Sequence, residues 1–137
     1  NPEPSFLHFA REFRLAEEAV VGRIAEEAAN AIIATGAETV LLEKNVQALR
    51  RSGRFIYIKR DPDRMIKKMQ ERFVPNPKEP ETQSTNALRV FLYKEVMSEY
   101  EKLADLVVEN DGDEEAGLEK LIKAIKAEMD RAAQQSS

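Results

Sequence analysis

The sequence predicts an α/β domain built on a parallel sheet. Three short runs rich in β-branched or aromatic residues, at 31–35, 55–60 and 104–110, alternate with stretches in which apolar residues recur every three or four positions. Strands that alternate with helices are typical of parallel sheets, because a parallel connection needs a crossover that a helix supplies. With 137 residues and 42% hydrophobic composition, the chain is expected to form a single domain over residues 1–137.

The first half begins with an amphipathic helix, predicted from Ser5 to about Asn30. Its apolar residues follow helical spacing: Phe6, Phe9, Phe13, Ala16, Val20 and Ile24. A buried strand, AIIAT, is expected at residues 31–35 and ends at Gly36. A short helix around residues 45–51 follows, and Ser52–Gly53 suits a helix C-terminus.

The second half opens with the strand FIYIKR. Asp61 and Pro62 then start a helix, since proline is tolerated in a first helical turn. Residues 74–86 hold three of the six prolines and predict a long loop of the kind that forms a lid. A further helix leads to the strand ADLVVEN, then a solvated turn, DGDEEAG, and a last helix whose residues 132–137 form a flexible tail.

Charge is segregated along the chain, although the net charge is only −4. Residues 44–78 carry eleven Lys or Arg against three acids, whereas residues 99–119 carry nine acids against one lysine. The net charge disfavours nucleic acid and anionic membranes as partners. Aromatic residues do interleave with positive charge at residues 50–68, but the aromatic residues fit a buried strand and the charges fit the ends of the strand and helices. Nucleic acid is therefore disfavoured, and the acidic surface of a protein partner is somewhat preferred to it.

Metal and redox chemistry have little support in the sequence. There is no cysteine, which is compatible with a reducing compartment such as cytoplasm or plastid stroma, and no apolar run long enough to insert in a membrane. His8, the only histidine, sits among the apolar residues Phe6, Leu7 and Phe9, and the acids of residues 111–115 lack the spacing of a calcium loop. We expect no metal site.

The order of motifs resembles that of shikimate kinases over nearly the whole chain. The matching pieces are EFRLAEE, AIIATGAE, Asn45 with Leu49 and Gly53, FIYIKRDPDRM, and SEYEKLADLVVEND. The resemblance implies a three-layer parallel sheet of the P-loop nucleoside-kinase type. Enzymes of this family transfer the terminal phosphate of ATP to a hydroxyl of shikimate, with magnesium. The 137 residues contain no G-x-x-x-x-G-K-[ST], and the family's N-terminal strand and P-loop unit are expected to precede Asn1.

The resemblance also implies a substrate site, and several of its positions have changed. Arg14 corresponds to an arginine that contacts the shikimate carboxylate, with Gly36 in the adjoining turn as the second substrate-binding candidate. The family's glycine triplet becomes Gly36-Ala37-Glu38, which puts a carboxylate where the substrate approaches. A second family arginine is replaced by Val96 or Met97, and the lid retains only Lys78. An arginine at such a position more often pairs with a neighbour one helical turn away, here Glu17 or Glu18, so a structural role is preferred for Arg14.

These changes favour a non-catalytic, shikimate-kinase-like domain that acts as a structural or protein-interaction subunit of a larger assembly, with no catalytic residue and no cofactor. The alternative is the C-terminal part of an active shikimate kinase that uses ATP and magnesium. A sensor that binds a shikimate-like ligand through Arg14 without turnover is the third hypothesis. An exposed sheet edge and the basic residues 44–78 are the surfaces expected to meet a protein partner.

Overall fold

The computed structural model describes residues 5–72, 78 and 81–135, with side chains from residue 10 onward except those of 81–86. The chain divides into two compact units, Asn1–Arg54 and Phe55–Ser137. The secondary structure of the described residues is α/β, as predicted: five α-helices, a short 3-10 helix and a parallel sheet of two strands. None of the described helices is both long and apolar enough to cross a membrane. A single domain over residues 1–137 stays a prediction.

The first unit consists of two α-helices and the segment that joins them. Helix α1 spans Ser5–Glu27, the 3-10 helix spans Thr39–Leu41, and α2 spans Glu43–Arg50. Helix α1 packs on α2, and the buried side chains of this unit come from all three helices: Val21, Thr39, Val40, Asn45 and Val46.

The second unit contains the sheet. Strand β1 spans Ile56–Lys59, α3 Pro62–Arg72, α4 Glu81–Leu103, β2 Leu106–Glu109 and α5 Glu114–Gln135. The strands run parallel and in register, with Ile56 opposite Leu106 and Lys59 opposite Glu109. Helix α5 packs on β2, and α3 packs on α4.

Two aspartates fix the starts of α3 and α5. Asp61 Oδ1 accepts a hydrogen bond of 3.1 Å from the N–H of Asp63, and Asp113 Oδ1 accepts one of 2.8 Å from that of Ala116. Each carboxylate satisfies a backbone donor that has no partner inside its own helix. Asp61–Pro62 therefore starts a helix as predicted, but α5 begins within the segment predicted to be a solvated turn, at Glu114.

The predicted strand at residues 31–35 is not formed, which corrects the expected three-stranded sheet to two strands. A strand is held by hydrogen bonds to a neighbour, and no described strand pairs with this segment. Its side chains are correspondingly open to solvent: Ile32 is 87% exposed.

The predicted loop at residues 74–86 is shorter than expected, because α4 already begins at Glu81. Residues 81–103 contain neither glycine nor proline, so nothing in them interrupts a helix. The rest of that loop, apart from Lys78, lies outside the described residues. At the other end, α5 continues to Gln135 through part of the predicted tail.

Gly53 has a different role from the one predicted. Helix α2 ends at Arg50, and Gly53 does not adopt the left-handed backbone of a helix-terminating glycine. A Cβ at this position would lie 2.9 Å from the backbone oxygen of Leu49. Close approach of two backbone segments therefore accounts for this glycine.

Candidate functional site

Arg14 lies on α1 and is held between two carboxylates of its own chain. Its Nη1 donates to Glu17 Oε1 at 2.9 Å, and its Nη2 donates to Glu38. The guanidinium carbon lies 5.4 Å from the centre of the Phe13 ring, within range of a cation–π contact. Of the two predicted partners one turn away, Glu17 is the one that Arg14 contacts, whereas Glu18 pairs with Lys44 at 3.2 Å.

Glu17 joins α1 to the turn that precedes the 3-10 helix. While its Oε1 accepts from Arg14, its Oε2 accepts from the hydroxyl of Thr39 at 3.1 Å. Only 17% of the Glu17 side chain is exposed, and Thr39 is 3% exposed. One oxygen of this carboxylate thus holds Thr39 against α1 and the other holds Arg14 on the same helix, which is a structural role.

Gly36, the second predicted site residue, lies in this turn beside Thr39. Its carbonyl accepts from the Thr39 N–H at 3.3 Å. A Cβ at Gly36 would lie 3.2 Å from Thr39 Oγ1 and 3.6 Å from Glu17 Oε2. The structure therefore brings Arg14 and Gly36 to the same cluster, where the absent side chain leaves room for the Thr39–Glu17 hydrogen bond.

Asn45, on α2, holds the turn through a hydrogen bond to its backbone. Its Nδ2 donates to the Thr39 carbonyl at 2.9 Å, and with 1% exposure it is the most deeply buried large side chain among the described residues. Its Oδ1 is buried without a hydrogen-bond partner in the described part of the chain. In the sequence Asn45 is recognisable only as part of the family pattern, because a polar residue on a short amphipathic helix is ordinarily exposed.

Glu38 is the most open member of this cluster. More than half of its side chain, 55%, is exposed, and its described contact is with Arg14. The cluster of Arg14, Glu17 and Glu38 contains one positive charge and two negative charges. A guanidinium that already holds two carboxylates is less available to a third than one facing solvent alone.

The other positions of the expected substrate site lie in the second unit. Val96 and Met97 are half-buried on α4, and neither provides a positive charge. Lys78 is exposed in a turn. His8 lies in α1, and its side chain is outside the described residues.

A second polar cluster, which the sequence reasoning did not identify, joins β1 to α4. The rings of Tyr57 and Tyr100 meet edge to face with centres 5.3 Å apart, and Lys59 Nζ donates to Glu101 Oε1 at 2.6 Å. Burial raises the pKa of the Tyr57 and Tyr93 hydroxyls. The hydrogen bond to Glu101 raises the pKa of Lys59. These contacts fix the helix on the strand.

Two acidic residues near the start of α5 accept hydrogen bonds from backbone N–H groups. Asp111 accepts from the N–H of Asp61 at 2.7 Å, while Asp113 starts the helix. Across the residues that the structure describes, no group of three or more His, Asp or Glu is arranged to hold a metal ion.

Comparison with known families agrees with the order of motifs. Residues 6–126 match the model of the family described as shikimate kinase. No curated protein and no solved structure matches the chain.

Proposed function

Because the chain belongs to the shikimate kinase family, we propose that it is a non-catalytic member that acts as a structural or protein-interaction subunit of a larger assembly. The observation that carries this proposal is an exposed apolar stripe on α1. Phe13, Val20 and Ile24 are 51%, 45% and 36% exposed. Ala16, also exposed, lies between them on the same face.

A continuous apolar face of this kind is typical of a surface that another protein covers. Full burial of an exposed Val, Ile or Phe side chain contributes about 1.5–3 kcal/mol. These three side chains are already about half covered, so covering the rest contributes roughly half of that for each and offsets part of the cost of association. The buried face of α1, which includes Glu17 and Val21, is turned to the rest of its unit. The apolar stripe is therefore available for a partner.

The non-catalytic part of the proposal is supported by the surroundings of Arg14. In the family, this position is expected to hold the substrate carboxylate; here Glu17 and Glu38 engage the same guanidinium. A site that orients its substrate poorly loses much of the rate enhancement that positioning provides. We therefore expect no transfer of phosphate from ATP to shikimate.

The test is a measurement of native mass on the protein purified with its partners, with Val20→Asp and Ile24→Asp as variants. Leu15→Asp is the matched control, because Leu15 is 62% exposed on α1 but lies off the stripe. We expect each stripe variant to weaken association about tenfold or more, since it places a charge in an apolar interface, and the control to leave it unchanged.

Two results would overturn the proposal. One is association that the stripe variants and Leu15→Asp affect equally. The other is ATP-dependent phosphorylation of shikimate by the purified protein, which would favour the active-kinase alternative. Unfolding curves of all three variants verify that each stays folded, because more than half of the Val20 and Ile24 side chains is covered.

A further inference from the structure

We propose that Glu38 is a built-in carboxylate ligand of Arg14 that determines the charge of the molecules this site accepts. With Glu38 in place, the site disfavours small carboxylates; with Glu38 removed, Arg14 can bind one. The inference rests on the proposed function, because it explains how a non-catalytic member avoids binding the substrate of its family.

The two carboxylates on Arg14 differ in how firmly they are held. Glu17 is mostly buried and is fixed from its other side by the Thr39 hydroxyl. Glu38 is 55% exposed, and its described contact is the single one with Arg14. Glu38 is therefore the carboxylate that can be exchanged, and Glu17 is the permanent one.

Arg14 is also accessible from solvent, since 40% of its side chain is exposed. The guanidinium carries five N–H donors in a plane, and its Nη2 is the atom directed at Glu38. An incoming carboxylate would compete with Glu38 for that donor and would be repelled by the Glu38 charge beside it. Both effects disappear when the side chain of residue 38 is neutral or short.

The backbone conformation of residue 38 allows Glu38 to be substituted without distorting the turn. Glu38 has φ −105° and ψ 1°, which other residues adopt without strain, and its side chain makes no capping hydrogen bond to the 3-10 helix that follows. The turn is held instead by Thr39, through Glu17 and Asn45. Substitution at Glu38 should therefore leave the rest of the cluster in place.

The experiment is an NMR titration of the full chain with shikimate as the probe, in the absence of ATP, observing the Arg14 side-chain N–H groups. The variants are Glu38→Gln, which keeps the size of the side chain, and Glu38→Ala, which removes it. Glu26→Gln, an exposed position on α1, is the matched control. The methyl ester of shikimate, which lacks the negative charge, is the second probe.

We expect both Glu38 variants to bind shikimate about tenfold more tightly than the unmodified chain or the Glu26→Gln control, with no such gain for the ester. Adding Arg14→Lys to Glu38→Ala should remove the gain, because lysine cannot reproduce the planar geometry of the guanidinium. Circular dichroism verifies that each variant is folded.

The inference would be overturned if the unmodified chain and both Glu38 variants bound shikimate with dissociation constants within twofold of each other. It would also be overturned if the Glu38 variants bound the methyl ester more tightly by the same factor as shikimate. Either outcome is separate from failure of the proposed function, which is decided by phosphoryl transfer and by native mass.

Discussion

Phe55 and Asp105 hold each other through two hydrogen bonds at the point where the two strands begin. The backbone N–H of Phe55 donates to Asp105 Oδ2 at 2.7 Å, and the N–H of Asp105 donates to the Phe55 carbonyl at 2.8 Å. The N–H of Leu106 shares the same carbonyl at 3.1 Å. The side chain of Asp105 thus continues the pairing of the parallel strands by one more residue and fixes their register.

Asp105→Ala is expected to destabilise the second unit by roughly 1–3 kcal/mol, because the Phe55 N–H loses its acceptor in a partly buried place. All three tyrosines lie within Phe55–Ser137 and the chain has no tryptophan, so tyrosine fluorescence during urea unfolding reports on this unit alone. Asp105→Asn keeps an acceptor oxygen and should recover most of the loss. If the two variants unfold at the same urea concentration, the side-chain hydrogen bond does not support the strand.

Local signals predicted the helices of this protein well. The sequence around Asp61 and Pro62 predicts a helix start because aspartate and proline act on backbone groups only a few residues away. The β-branched residues within 56–59 and 106–109 predict two strands, and these two strands pair with each other. Arg14 and Glu17, three residues apart on α1, are likewise recognisable as neighbours from spacing alone.

Residues 31–35 and Glu38 show where sequence reasoning stops. The AIIAT segment has the composition of a strand, yet composition does not provide the neighbour that a strand requires. The contact of Glu38 with Arg14 joins residues 24 apart, and no local pattern predicts it. The burial of Asn45 similarly depends on the Thr39 carbonyl, whose position is set by how the turn packs on α1.

The cost of an alanine at Gly117 is expected to depend on the side chain of Asn110. It lies buried in the first turn of α5, where a Cβ would come within 2.0 Å of Asn110 Oδ1 and 2.9 Å of its Cγ. Because Asn110 also donates its N–H to the Lys59 carbonyl at 2.8 Å, its backbone has little freedom to retreat. Gly117→Ala forces the flexible Asn110 side chain to move but gains helix propensity, so its net cost should be at most about 1 kcal/mol.

The double variant Asn110→Ala with Gly117→Ala should recover much of that loss, since the overlapping side chain is gone. Gly112→Ala is the control, because a Cβ there meets Ala116 at an ordinary contact distance of 3.5 Å. Urea unfolding of the unmodified chain, Asn110→Ala, Gly117→Ala and the double variant gives the coupling energy between the two positions. Strictly additive effects would mean that the cost of Gly117→Ala arises elsewhere than at Asn110.

The tyrosines and Lys59 of the β1–α4 cluster predict how stability changes in alkali. Burial raises the pKa of Tyr57 and Tyr93 above the ordinary 10.0, and the Glu101 hydrogen bond raises that of Lys59 above 10.5. The folded chain therefore keeps protons that the unfolded chain loses. The contribution of these groups to the free energy of unfolding is fully present below about pH 10 and is lost as the pH rises through the pKa values of the folded chain.

We expect the free energy of unfolding of the second unit to fall above about pH 10. We also expect the near-ultraviolet absorbance of tyrosinate to appear at a higher pH in the folded chain than in the chain unfolded in urea. Glu101→Gln should bring the pKa of Lys59 back towards its ordinary value, because its strongest partner becomes neutral. Glu99→Gln is the control, since Glu99 pairs with Lys102 at 3.2 Å. Tyrosinate absorbance that rises at the same pH with and without urea would contradict the burial of Tyr57 and Tyr93.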